Sequence, residues 1–246
     1  MNDIQVLDIG AMGSADSKIL AQYIQDKFKH SSHTIKILEA GCGRRWYLDI
    51  KELDYEITGI DISPEALEIR KTQKQDLDKI ILGDLRTIEL EKSSFDVIYS
   101  SYVLEHVDGA EKILDKFLDW LKPNGILMIR IPDGDTVKGF FTKHLPFWVH
   151  LFYLKYIQGS QNAGKPGHEP FPTPFDPIIS RKAMHQYCQQ RNLQIKMEHS
   201  YLFKAKERFK ALPMLGNMIV KTAEVLSFGK LASNRVDLLL VMEKCV

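Results

Sequence analysis

At 246 residues, with 44% hydrophobic and 26% charged side chains, the chain is long enough for one sizeable core and short for two full domains, so a single domain over 1–246 is expected. Basic and acidic residues nearly cancel to a formal net charge of +1, which leaves no electrostatic footprint for nucleic acid and disfavours it as a substrate. Cys42, Cys188 and Cys245 lie far apart with no C-x-x-C pair, and the first residues lack the basic-then-apolar pattern of a signal peptide, so a cytoplasmic setting is expected.

The N-terminal segment, 1–34, opens on a weakly patterned stretch from Met1 to Gly13. Ser14-Ala15-Asp16 then reads as a helix start, and Ile19, Leu20, Tyr23, Ile24 and Phe28 recur at helical spacing. Such a helix packs on a sheet or covers a cleft; contact of Tyr23 with a ligand is the alternative. From Ile35 to Asp61 an apolar run ends at Glu39, the turn Gly41-Cys42-Gly43 follows, and a second apolar run ends at Asp61. This reads as strand, ligand-cradling turn, short helix and strand. Glycines suit a turn that must bend sharply and bare its N–H groups. A carboxylate about twenty residues on, at the end of the second strand, can accept both hydroxyls of a ribose. A nucleoside-containing cofactor is the first expectation. The dinucleotide fingerprint wants a small third residue where Trp46 stands, and Arg44 and Arg45 precede it, so a dinucleotide is disfavoured.

After Asp61, Ser63 caps a helix with Pro64 at its first position and Glu65 facing the positive end of the helix dipole. Lys79 to Gly83 forms a further strand that ends at Asp84. Phe95 to Ser101 is another, followed by Leu104-Glu105-His106-Val107. Gly109 to Leu121 is helical, with Ile113, Leu114, Phe117, Leu118 and Leu121 on one face, and closes before Pro123. The alternation of strand and helix predicts an α/β, doubly wound, mostly parallel sheet.

Four stretches carry a resemblance. Glu39-Ala40-Gly41-Cys42-Gly43 resembles the E/D-x-G-x-G signature of class I (Rossmann-like) methyltransferases, which bind S-adenosylmethionine (SAM) and release S-adenosylhomocysteine. Asp84 follows in order. Phe95 to Val107 is similar to the FDVV-x-x-x-x-x-LEH-V run of the methyltransferase type 11 subgroup, and Leu121-Lys122-Pro123-Asn124-Gly125-Ile126-Leu127 resembles its LKPGG-x-L turn, with Asn124 replacing a glycine. Arg44-Arg45 departs from the small residue and glycine often found there. The resemblance implies a seven-stranded sheet whose last strand is inserted antiparallel. It implies that Glu39 orients the methionyl amino group, Asp61 holds the ribose, Asp84 bonds the adenine amino group and Ile62 flanks the adenine or serves the core. The implied cofactor-binding set is Glu39, Ala40, Gly41, Cys42, Gly43, Asp61, Ile62, Gly83, Asp84, Leu85, Ser100, Ser101 and His106.

The alternation breaks after Pro132. Residues 133–179 hold Gly139-Phe140-Phe141, the apolar run from His144 to Ile157 and a loop rich in proline. That run is too short and too interrupted for a bilayer span, which needs about twenty apolar residues. It is covered by the domain itself, or it caps a substrate after the fifth strand, or it faces a partner or a membrane surface beside Lys138, Lys143 and Lys155. Ser180 then caps a helix through Arg191, Leu193 to Phe203 reads as a strand, Lys204 to Lys230 is basic and helical in part, broken by Pro213 and Gly216, and Val236 to Met242 reads as the last strand.

Methyl transfer from a sulfonium draws much of its rate from alignment in a dry pocket, and needs a base only if the acceptor carries a proton. His106 is the candidate base, with a cofactor-shaping role weighed beside it. His144, His150, His168 and Glu169 are weaker candidates. No histidine, cysteine and carboxylate cluster has a metal spacing, so no metal is expected. The expected function is SAM-dependent methylation of a small-molecule or lipid-like acceptor, at oxygen first and nitrogen next. A non-catalytic SAM-binding scaffold that meets a partner or membrane surface is the alternative, and a nicotinamide-dependent oxidoreductase is further off. The acceptor and the oligomeric state are not legible in the sequence.

Overall fold

In the computed structural model, residues 5–7, 15–157, 159–165, 171, 173–203 and 213–245 are described. The strands are β1 (Gln5–Leu7), β2 (Ile35–Ala40), β3 (Tyr55–Asp61), β4 (Lys79–Leu82), β5 (Phe95–Ser101), β6 (Leu121–Pro132), β7 (Leu193–Leu202) and β8 (Arg235–Lys244). They form one sheet in the order β1-β7-β8-β6-β5-β2-β3-β4. Strands β2 to β8 make the mostly parallel arrangement that the alternation predicts, seven-stranded and with β8 antiparallel to both β6 and β7 as the resemblance implies. Strand β1 adds an eighth, parallel to β7, from a stretch whose sequence is too weakly patterned to announce it.

Central strands are apolar on both faces because helices cover both. One face of the sheet gathers Leu38, Ile60, Ile98, Leu127 and Ile129 under α3 (Ala110–Trp120) and α6 (Arg181–Gln190). The other gathers Ile37, Ile57, Val97, Tyr99 and Met128 under α1 (Ala15–Phe28). Leu20 and Ile24 of α1 are fully buried and Tyr23 packs against the same cluster, so Tyr23 serves the core. In α3, Ile113, Leu114 and Phe117 are buried as their spacing requires, and Gly109 precedes the helix with φ +77°.

The remaining helices are α2 (Pro64–Ile69), α4 (Val137–His144), α5 (Phe147–Phe152) and α7 (Pro213–Leu226). Ser63 caps α2 by accepting from the Ala66 N–H, and Ser180 caps α6 in the same way through Ala183. Pro213 starts α7 and Gly216 lies within it, so neither residue breaks that helix as the sequence suggests. The short helix expected between Gly43 and Tyr55 is absent: residues 41–54 run without helix or strand. Leu48 and Ile50 are buried and Trp46 is half-buried, while Tyr47, Asp49 and Lys51 face solvent. Alternation with period 2 suits an extended segment laid against the sheet and cannot build a helical stripe. Asn124 takes φ +61°, which explains how it can stand where the related turn has glycine, since asparagine tolerates the left-handed region.

Candidate active site

A cleft of about 990 Å³ opens at the carboxyl ends of β2, β3, β4 and β5. Ligands in doubly wound sheets bind at this edge. Its floor begins where the chain leaves β2. Gly41 has φ +74°, and an added Cβ would lie 2.2 Å from Cγ2 of Val103, so a side chain is excluded by both backbone and neighbour. The Gly41 and Cys42 N–H groups both donate to the Ile60 carbonyl, at 2.8 and 2.9 Å, which pins the turn to β3. Asp61 finishes the clamp: Oδ2 accepts from the Gly43 N–H and Oδ1 from the Ser63 N–H, each at 2.8 Å.

Beneath the turn lies a network that the sequence reading missed. Arg70, fully buried in the turn that continues α2, donates through Nη2 to Glu39 Oε2 (2.8 Å), through Nη1 to the Cys42 carbonyl (2.8 Å) and through Nε to Asp76 Oδ1 (2.6 Å). One guanidinium thus holds the strand-end acid and the glycine turn together. Burial pushes the Glu39 carboxyl up to about 8, against the downward pull of Arg70. Burial likewise pushes the Cys42 thiol up to about 12, so it stays a thiol. Asp84 is gripped by Arg86 through Nε and Nη2, a pairing that holds its carboxyl below the usual range.

Glu39, Asp61 and Asp84 therefore present three carboxylate groups along one wall. A carboxyl group offers an acceptor oxygen in either protonation state, so this wall suits a ligand rich in donors: an ammonium, a diol and an amine. A pyrophosphate brings only acceptors and would find few matching donors in these three carboxyl groups. The donor set fits S-adenosylmethionine and argues against a dinucleotide.

The opposite wall follows β5. Tyr99, Ser101, Tyr102, Val103 and His106 line it, joined by Phe171 from the loop before α6. Tyr102 has φ +56°, an uncommon conformation for a non-glycine residue, and its hydroxyl donates to Asp237 Oδ2 at 3.2 Å. Asp237 is also paired with Lys138 at 2.6 Å. His106 is about one-third exposed, lies edge-on to Phe171 with ring centroids 5.8 Å apart, and has Nε2 3.9 Å from Glu105 Oε1. Glu105 is buried with no hydrogen-bond partner at Oε2, and burial pushes its carboxyl up to about 8.

Of the residues the sequence nominates, Glu39, Gly41, Cys42, Gly43, Asp61, Ile62, Gly83, Asp84, Leu85, Ser101 and His106 line the cleft. Ala40 and Ser100 do not. Both are buried in the sheet, because successive strand residues point to opposite faces and their neighbours Glu39, Gly41, Tyr99 and Ser101 take the cleft side. The aromatic insertion does not line the cleft as a cap would. Phe140, Phe147, Trp148, Phe152 and Tyr156 are exposed, and among the described residues of 133–179 only Phe171 lines the cleft. Two of the weaker histidines serve local structure, His144 through the Phe140 carbonyl and His150 through the Leu145 carbonyl. His168 and Glu169 lie outside the described residues. Among the described residues no group of His, Cys, Asp and Glu could hold a metal ion.

The family described as "Methyltransferase domain" matches residues 38–129, the stretch that contains both walls of the cleft apart from Phe171. The sterol 4-C-methyltransferase strm-1 of Caenorhabditis elegans is 29% identical over 118 residues, covering 46% of this chain and 35% of that protein. The mitochondrial ubiquinone biosynthesis O-methyltransferase of Schizosaccharomyces pombe is 35% identical over 101 residues, covering 38% of this chain and 36% of that one. The chain thus spans little more than a third of the length of these relatives. The same fold occurs in the crystal structure of coclaurine N-methyltransferase bound to N-methylheliamine and SAH, with TM-score 0.56, 15% identity, and coverage of 92% of this chain and 72% of that one. Residues 38–129 thus match the methyltransferase domain family, and that matched segment supplies the acid-lined wall at the carboxyl edge of this sheet.

Proposed function

We propose that this protein transfers a methyl group from S-adenosylmethionine to a small-molecule or lipid-like acceptor, with oxygen the first target atom to test and nitrogen the next. The observation that carries the reading is the two-walled cleft, with three carboxylates on one side and aromatic rings and an imidazole on the other. In this reading Glu39 accepts from the amino group, Asp61 from the ribose hydroxyls and Asp84 from the adenine amino group, while Ile62 covers the adenine. The cofactor supplies a methyl group activated on a sulfonium. The chain's own part is to hold the acceptor against Tyr102 and Phe171, keep water out and, where the acceptor bears a proton, receive it on His106. The two curated relatives are named for carbon and for oxygen methylation, so the acceptor atom has to be measured.

Transfer of a labelled methyl group from S-adenosylmethionine into metabolite and lipid extracts tests the activity. His106→Ala separates base from scaffold: a base gives a rate loss of about a hundredfold or more with cofactor affinity kept. Affinity falling in step with rate assigns the imidazole to the cofactor site instead.

A further inference from the structure

Away from the cleft, several large apolar side chains of two helical segments are exposed. Helix α7 turns Leu215, Met218, Ile219, Val225 and Leu226 outward, at intervals of three, four and seven, and only Val220 of its larger side chains is buried. Its apolar stripe therefore faces solvent. Helix α4 packs on α7. The Val137 N–H donates to the Ala232 carbonyl at 2.9 Å, and the Ala232 N–H to the Asp135 carbonyl at 3.0 Å, so the exit of α7 is stitched to the start of α4. Directly after α4, α5 and the turn behind it expose Phe147 (47%), Trp148 (69%), Phe152 (52%) and Tyr156 (66%). These aromatics, for which a substrate cap was one of the expected roles, lie on an outer surface.

The charge of that surface decides what covers it. Between Val137 and Ile157 there is no aspartate or glutamate, while Lys138, Lys143, Lys155, His144 and His150 occur. Between Pro213 and Lys230 the lysines Lys221 and Lys230 stand with Glu224 as the acid. Lys138 and Lys221 are bound to Asp237 and Glu224, whereas Lys143, Lys155 and Lys230 are exposed on the same segments as the apolar side chains. Residues 137–157 thus carry three lysines and no acid in a chain whose formal net charge is only +1. Two copies meeting face to face would set lysine against lysine, which disfavours a dimer. Aromatic side chains ringed by lysine suit the boundary between acyl chains and anionic headgroups. Among the described residues no helix is long and apolar enough to cross a membrane, so contact through them would be lateral.

We propose that α5 and α7 together form a docking face for an anionic lipid bilayer, on which the protein lies as a peripheral protein. Helix α4 leaves from the carboxyl end of β6, the same edge of the sheet on which the cleft opens, so docking would bring the cleft edge toward the lipid surface.

The test uses the full chain and sedimentation with phosphatidylcholine vesicles, with and without phosphatidylglycerol. Binding should be on the order of a hundredfold tighter with the anionic lipid, since each of three lysines near such a surface contributes about fivefold, and salt should weaken it. Trp148 emission should shift to the blue on binding, and Trp148→Phe should remove that shift. The double variants Trp148→Ser with Phe152→Ser, and Lys143→Glu with Lys155→Glu, should each lose at least tenfold in vesicle affinity. Their melting temperature and calorimetric affinity for S-adenosylmethionine should stay unchanged, which separates this result from failure to fold or to bind cofactor. Absence of vesicle binding overturns the proposal, as does binding that survives both double variants. A dimer in sedimentation equilibrium that Trp148→Ser with Phe152→Ser dissociates would also overturn it, by assigning the face to a second copy.

Discussion

Asp61 carries two duties at one position. Its carboxylate holds the glycine turn through Gly43 and the start of α2 through Ser63, and its remaining lone pairs face the cleft. Asp61→Ala should therefore weaken S-adenosylmethionine binding by roughly 1–3 kcal/mol in calorimetry, with the fold retained. Arg70 is the opposite case, a residue that acts wholly from below. Arg70→Met leaves Glu39 and Asp76 without their cation, and loss of one partner of a buried pair costs about 3–5 kcal/mol, to be read in urea unfolding. The buried carboxyls of Glu39 and Glu105 set a pH dependence. Both are held at about 8, above their ordinary value, so the folded state keeps protons that the unfolded state releases. Their contribution to stability is present below about pH 4.5 and is lost as pH rises toward 8, with a slope of at most about 1.4 kcal/mol per pH unit for each group. Melting temperature should fall across that window, and Glu105→Gln should flatten the fall.

At the scale of the element, the loop from Gly41 to Asp54 shows how one segment serves core and site together. Leu48 and Ile50 anchor it to the face of the sheet that α1 covers, while the preceding Arg44, Arg45 and Tyr47 line the cleft. Leu48→Ala should cost about 2–5 kcal/mol of stability and loosen the cofactor turn above it, which hydrogen exchange at Gly43 and Arg44 would report. Helix α7 shows the reverse arrangement, an apolar stripe turned outward, and its meaning lies in what it meets rather than in the fold it belongs to.

For the molecule as a whole, cofactor binding and folding are linked, because the turn, α2 and the strand-end acids form the site only when the sheet is assembled. Saturating S-adenosylmethionine at about a hundred times its Kd should add about 2.7 kcal/mol of stability, read as a rise in melting temperature. A nicotinamide dinucleotide at the same concentration should give no rise. An equal rise with both cofactors would remove the argument from the carboxylate wall.

Sequence alone determined the alternation of strand and helix, the glycine turn and Asp61 at the end of the next strand, because each depends on spacing along the chain or on chemistry within a few residues, while the antiparallel last strand and the parts of Glu39 and Asp84 came from the family resemblance. It could not separate Ser100 from Ser101 or Ala40 from Gly41, since which neighbour faces the cleft depends on where the strand ends in the sheet. Nor could it find Arg70, whose partners Glu39 and Cys42 are brought to it from 31 and 28 residues away. The destination of the aromatic stretch from Phe140 to Tyr156 was likewise open. Its residues read as core or as cap before surface, because hydrophobicity states that a side chain avoids water but not what it meets instead. Only the tertiary structure decided it, because exposure depends on which distant segments come to cover a side chain, and Phe147, Trp148, Phe152 and Tyr156 are left uncovered.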